Sequence, residues 1–214
     1  MDNKFYDADY YDRGIETGKS LYTNFRWMPE FTLPLAMSYI DYLGITREHK
    51  VLDYGCGKGG FVVKALRLLY RKAYGCDVSE YAVNSSDNET RQYLRVADDG
   101  NIIPFDLSFD FIISKDVFEH LDEETLVKTL AAMSAKSKTL FAIVPLGKGE
   151  KYVIPSYECD VTHVLRKDKD WWISIFENNG WKLKEFSYYI PGIKESWSNF
   201  PEGNGFFLLQ NTSK

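Results

Sequence analysis

The chain has no run of basic residues, no apolar stretch long enough to cross a bilayer and only three cysteines. Each shortage excludes something. A nucleic-acid binder neutralises phosphates with a Lys/Arg patch, because counterion release supplies most of its affinity. Here 26 Lys and Arg stand against 31 Asp and Glu, a formal charge of −5, so no nucleic-acid partner is expected. A spanning helix needs about 20 apolar residues in succession, and their lack predicts no membrane span. Cys56, Cys76 and Cys159 are odd in number and show no Cys-x-x-Cys pairing. That usage reads as reduced thiols in a cytoplasmic protein. The leading MDNKFYDADYYDRG is acidic and lacks the apolar core of a secretory signal. No metal-ligand cluster is visible, so no metal is expected. Internal repeats and low-complexity linkers are also missing.

What is present suits one domain over residues 1–214, long enough for a full hydrophobic core and short for two. Aromatic residues make up 16%, and many fall in a polar, tyrosine-rich segment. Residues 1–45 are expected to form a helical, aromatic cap, with an amphipathic helix over 31–44 closed by Gly44. Strands are expected at 50–54, 73–77, 93–97, 109–114 and 139–144. Helices are expected at 61–69, after a Ser79 cap, at 123–135 and at 167–179. Late strands at 181–188 and 205–209 make a hairpin-like pair. The segment 146–167 is irregular and too long for a simple connection, which marks a functional loop or insertion. It and the N-terminal cap are expected to cover the ligand end. In the 167–179 helix, Trp172, Ile175 and Phe176 make a core stripe that leaves Trp171 freer. Strand and helix alternate as βαβ units, so the fold class is α/β with a mostly parallel sheet.

Between the first strand and its helix lies Val51-Leu52-Asp53-Tyr54-Gly55-Cys56-Gly57-Lys58-Gly59-Gly60. Glycines there allow a tight turn and close approach of backbone to ligand. Gly55, Gly57 and Gly60 also satisfy the dinucleotide spacing, so the loop alone admits a nicotinamide oxidoreductase. Asp53 separates the two readings. Its carboxylate would repel a pyrophosphate but attract an ammonium group. Asp77 ends the second strand about 20 residues on, where a carboxylate accepts both ribose hydroxyls. Further along come Ala97-Asp98-Asp99-Gly100-Asn101-Ile102-Ile103-Pro104-Phe105 and Phe109-Asp110-Phe111, leading into Glu119-His120-Leu121.

In this order and spacing, over about residues 50–145, these segments resemble the class I S-adenosylmethionine-dependent methyltransferases. The resemblance implies a Rossmann-like, seven-stranded mixed sheet, mostly parallel with one antiparallel late strand and helices on both faces. It implies S-adenosylmethionine as cofactor and S-adenosylhomocysteine as product. Asp53, Gly55, Cys56 and Gly57 would line the methionine portion. Asp77 and Val78 would hold the ribose and flank the adenine. Asp98 would accept from the adenine amine, with the Asp99 backbone nearby. Lys115 stands where family backbone touches the methionyl group, although smaller residues are common there. Tyr22 to Thr32 and Asp160 to Val164 resemble, more narrowly, methyltransferases encoded with bacterial surface-polysaccharide genes. The expected partner is therefore a small-molecule or glycan acceptor, methylated at oxygen, with the oligomeric state undefined by sequence. Rival readings are a binding-only relative, a nucleic-acid methyltransferase and the NAD-dependent oxidoreductase.

Methyl transfer to a hydroxyl gains from a general base, most often histidine. His49 precedes the first strand, on the wrong edge of the sheet. His120 follows the fourth strand, near the carboxyl ends where ligands bind. His163 lies in the irregular segment beside Asp160 and Thr162, where a carboxylate can orient it. His163 is the first candidate for catalysis and His120 the second. Tyr6, Tyr10, Tyr11, Tyr22, Phe25 and Trp27 offer ring faces to a sulfonium. Arg26 and Tyr22 are candidates to hold the methionine carboxylate.

Overall fold

The polar N-terminal segment folds through local caps rather than periodicity. In a computed structural model describing residues 4–197 and 199–212, Asp7 accepts from the amides of Asp9 and Tyr10 and so starts a one-turn helix, α1 (Ala8–Tyr11). A second short helix, α2 (Gly14–Thr17), follows. The helix expected over 31–44 runs as α3 (Pro29–Leu43) and ends on Gly44, whose φ of 65° is left-handed, the region glycine enters without a Cβ penalty. The chain divides into two compact units, Met1–Phe109 and Asp110–Lys214.

In the first unit, β1 (Lys50–Tyr54) is buried from Val51 onward, as suits a strand covered on both faces. The glycine loop leads into α4 (Phe61–Leu68), which buries Val63, Ala65 and Leu66 and packs against α3. Next come β2 (Lys72–Asp77), α5 (Glu80–Asn84), α6 (Asn88–Arg91) and β3 (Leu94–Val96). Pairing is parallel between β1 and β2 and between β2 and β3. Ser79 caps α5 as expected, its hydroxyl oxygen accepting from the Ala82 amide at 2.9 Å.

The second unit carries most of β4 (Phe109–Lys115), then α7 (Glu123–Lys136) and β5 (Ser137–Pro145). The segment expected to be irregular holds a small hairpin, β6 (Gly147–Lys148) with β7 (Lys151–Tyr152), and a 3-10 turn at Pro155–Cys159. The next helix, α8 (Lys169–Asn178), starts two residues later than expected. The side chain of Asp168 accepts from the Trp171 amide at 2.9 Å and sets the boundary. The late pair is β8 (Trp181–Ser187) and β9 (Asn204–Asn211), with β9 antiparallel to both β5 and β8. Trp172 and Phe176 are fully buried, while Trp171 is only partly so, as the helical stripe requires. The sheet is seven-stranded and mixed, mostly parallel, in the order β3-β2-β1-β4-β5-β9-β8. It is the Rossmann-like arrangement expected from the sequence.

Candidate active site

The glycine loop is held closed by its own amides. Those of Gly55 and Cys56 both donate to the Cys76 carbonyl, at 2.8 and 3.0 Å. The Gly57 amide donates to Asp77 Oδ2 at 2.8 Å, and the Ser79 amide donates to Asp77 Oδ1 at 2.9 Å. Gly55, Gly57, Gly59 and Gly60 all have φ between 57° and 79°, which explains why side chains are excluded from the turn. Asp53 and Asp77 are both buried. Burial pushes the Asp77 carboxyl up, against the lowering effect of the amides of Ser79, Gly57 and Val78. Burial also pushes the Cys56 thiol well up, and the carboxylates of Asp77 and Asp53 reinforce it. A thiol so disposed stays protonated and serves as a small apolar wall.

An aromatic cover lies over this loop within the first unit. Tyr6, Tyr10 and Tyr11 are buried and form a cluster with Ala82, against which Phe5, Phe25, Val78 and Tyr81 pack. A Cβ on Gly57 would come within 3.9 Å of the Tyr11 hydroxyl. The cover is tied down by polar contacts: Ser79 donates its hydroxyl proton to the Tyr6 carbonyl, and Asp12 accepts from both Lys58 and Tyr81. Tyr22 is exposed and stacks on Tyr11 with ring centroids 6.1 Å apart. Arg26 is exposed. Asp98 and Asp99 are also exposed, at a tight turn where Asp98 Oδ1 accepts from the amides of Gly100 and Asn101 at 2.8 Å each.

The second unit gathers a different set at the end of β4. Lys115 and Lys194 both bond to Asp116. Burial raises the Asp116 carboxyl, but the two ammonium groups outweigh it and hold it below the usual carboxylate range. A short 3-10 turn, Phe118–His120, then brings up Glu119 and His120. The Glu119 carbonyl accepts from the amides of Val164 and Leu165, at 2.8 and 3.1 Å. That backbone tie carries His163 to His120, ring centroids 4.6 Å apart. His163 is 7% exposed, and its Nδ1 lies 2.8 Å from the Tyr157 carbonyl. His120 Nδ1 lies 2.7 Å from Thr162 Oγ1, which is itself 2.6 Å from Asp160 Oδ1. Burial, then the neighbouring His163, lowers the His120 pKa to about 4; burial lowers that of His163 as well. Both rings are neutral at physiological pH.

Proton counting fixes the His163 tautomer. A carbonyl only accepts, so His163 Nδ1 carries the proton it donates to Tyr157. The His163 ring therefore keeps a lone pair on Nε2. The Thr162 hydroxyl gives its proton to the Asp160 carboxylate, and the His120 ring hydrogen-bonds both Thr162 and the Asp116 backbone.

Residues 52–139 match the family model described as a methyltransferase domain. A stretch of 57 residues is 37% identical to ribosomal protein L11 methyltransferase of Glaesserella parasuis, covering 27% of this chain and 19% of that relative. The chain thus matches about a fifth of the length of the curated relatives it resembles. Among solved structures, a SAM-dependent methyltransferase from Archaeoglobus fulgidus superposes with a TM-score of 0.64 at 17% identity, over 86% of this chain and 97% of that one. The magnesium protoporphyrin IX methyltransferase of Synechocystis PCC 6803 with bound SAM gives a TM-score of 0.61 at 13% identity, over 99% and 97%. These two show a shared fold.

Within the first unit, the structure brings Asp53, Gly55, Cys56, Gly57, Asp77 and Val78 into one neighbourhood with Tyr11 and Tyr22. The carboxylate beside His163 is present, as the sequence suggested, but it acts through Thr162 on His120; the Tyr157 carbonyl orients His163. His49 accepts from the Thr46 amide at 3.1 Å in a surface turn. Two participants escaped the sequence. Glu119 was legible only as an acid beside a histidine, with nothing to show its burial. Gly75 reads as an ordinary strand residue, yet a Cβ there would meet Val63 Cγ2 at 2.8 Å and Cys56 Cβ at 2.9 Å. Gly75→Ala is accordingly expected to destabilise the fold by about 1–3 kcal/mol and to displace the loop. A denaturant melt reads this, and an unchanged midpoint would show that the loop yields without cost.

Proposed function

We propose that this chain is an S-adenosylmethionine-dependent methyltransferase that moves a methyl group to an oxygen of a small-molecule or glycan acceptor, releasing S-adenosylhomocysteine. The observation that carries the donor half is the condition of the glycine loop. Three of its amides are committed to the Cys76 carbonyl and the Asp77 carboxylate, and two buried carboxylates stand beside it. A phosphate-binding turn needs uncommitted amides and no adjacent anions. A ligand with an ammonium group at one end and a ribose diol further on suits carboxylates instead.

On this reading Asp53, Gly55, Cys56 and Gly57 hold the methionine portion, and Asp77 accepts the ribose hydroxyls. Val78 flanks the adenine, and Asp98 with the Asp99 backbone meets its amine. Tyr22 and Arg26 reach the carboxylate, and the Tyr11 ring favours a cation beneath the cover. The cofactor supplies a methyl carbon already activated by its sulfonium, so the protein's share is alignment and exclusion of water.

For the acceptor half, His163 and His120 supply the chemistry. His163 is oriented through Nδ1 and offers an Nε2 lone pair to a hydroxyl proton, with the His120 ring beside it. Titration calorimetry with S-adenosylhomocysteine and NADH tests the donor half. One equivalent of S-adenosylhomocysteine should bind and NADH should give no heat. NADH binding with silence from S-adenosylhomocysteine would replace this reading with an oxidoreductase.

A further inference from the structure

Glu119 is fully buried, and among the described residues neither of its carboxylate oxygens has a hydrogen-bond partner. A carboxylate in that condition costs several kcal/mol unless a positive charge or a proton compensates it. Lys194 is already bonded to Asp116. What stands beside Glu119 is the imidazole pair: one donor atom each from Glu119, His120 and His163 lies within 4.8 Å of the other two.

We infer that Glu119, His120 and His163 form a binding site for a divalent first-row transition ion. The arrangement has the parts such a site needs. Two imidazoles and one carboxylate make a mixed nitrogen and oxygen donor set with positions left open, which suits zinc, iron or manganese. Magnesium and calcium prefer oxygen throughout. An outer contact that fixes the proton on one ring nitrogen aims the other at a metal. On His163 the contact is the Tyr157 carbonyl at 2.8 Å. On His120 it is a relay through the Thr162 hydroxyl to the Asp160 carboxylate. His120 is only partly buried, which gives an ion a route in. Metal bonds of about 2.0–2.2 Å put neighbouring donors roughly 3–3.5 Å apart, so side-chain rotation closes the trio on an ion. The same His163 lone pair serves as a ligand when an ion is held and as a base when it is not.

The test uses the full chain, stripped with a chelator and then freed of it. Titrated Co²⁺ should give visible d–d absorption saturating at one equivalent, and Zn²⁺ should bind with matching stoichiometry by calorimetry. An excess of Mg²⁺ should not displace Co²⁺. Glu119→Gln and His163→Ala should abolish the absorption. Thr162→Val keeps all three ligands and should weaken Zn²⁺ by about tenfold or more. Absence of Co²⁺ absorption and Zn²⁺ heat in the wild type overturns the inference. So does a folded Glu119→Gln that binds as tightly as the wild type. Should Glu119→Gln fail to fold, an unchanged Zn²⁺ affinity in Thr162→Val overturns it. S-adenosylhomocysteine binding by the stripped protein is measured alongside. Its persistence without metal binding sinks this inference alone, whereas its loss with metal binding intact sinks the donor reading alone.

Discussion

Asp77→Ala is expected to weaken S-adenosylhomocysteine binding by about a hundredfold or more, since two charge-assisted hydrogen bonds to a diol contribute about 1.5–3 kcal/mol each. The same carboxylate accepts from the amides of Gly57 and Ser79. Alanine would leave both donors unpaired, with a further stability loss of about 1–3 kcal/mol. Asp77→Asn separates the two effects. The amide keeps one acceptor oxygen, enough for one of the two backbone amides, but turns an NH₂ toward the other and toward a ribose hydroxyl. Folding should therefore survive better than binding. Calorimetry and a thermal melt on both variants read this. An Asp77→Ala protein that folds and binds within about threefold of the wild type would remove Asp77 from the donor site.

His163→Ala is expected to lower turnover by about 10²–10⁴-fold, the usual contribution of a positioned base. Its effect on S-adenosylhomocysteine affinity should be small. The groups around His163 are the Tyr157 carbonyl and the rings of His120, Tyr152 and Tyr157, none of them assigned to the donor. The assay is release of S-adenosylhomocysteine with an acceptor found among hydroxylated small molecules and glycans. Loss of turnover with unchanged cofactor affinity supports an acceptor-side role for the ring. Full turnover in the variant would dismiss His163 from the mechanism.

Much of the first unit was legible from local rules. The strand at 50–54, the helix ended by Gly44 and the Ser79 cap follow from hydrophobic pattern and from residues whose backbone or side chain satisfies a helix terminus. Asp53 and Asp77 could be singled out because strand ends and glycine turns are separated by short, regular intervals. The start of α8 was misplaced because charge and amphipathicity at Lys167 and Asp168 look helical, whereas the cap at Asp168 decides where the hydrogen-bonded turns begin. The short helices in the N-terminal segment lacked any periodic signal, since their stability comes from caps and aromatic packing rather than from an apolar stripe.

The sequence by itself determined the alternation of strand and helix, the glycine loop and the acids that flank it, all set within a few residues of one another. Only the tertiary structure decided that the loop amides are committed inward, that Tyr11 lies over Gly57, and that Glu119 is buried beside His120 and His163. Those facts depend on pairings between segments far apart in the chain. Local propensity carries no information about them, because burial and proton placement arise only once the distant backbone ties have formed.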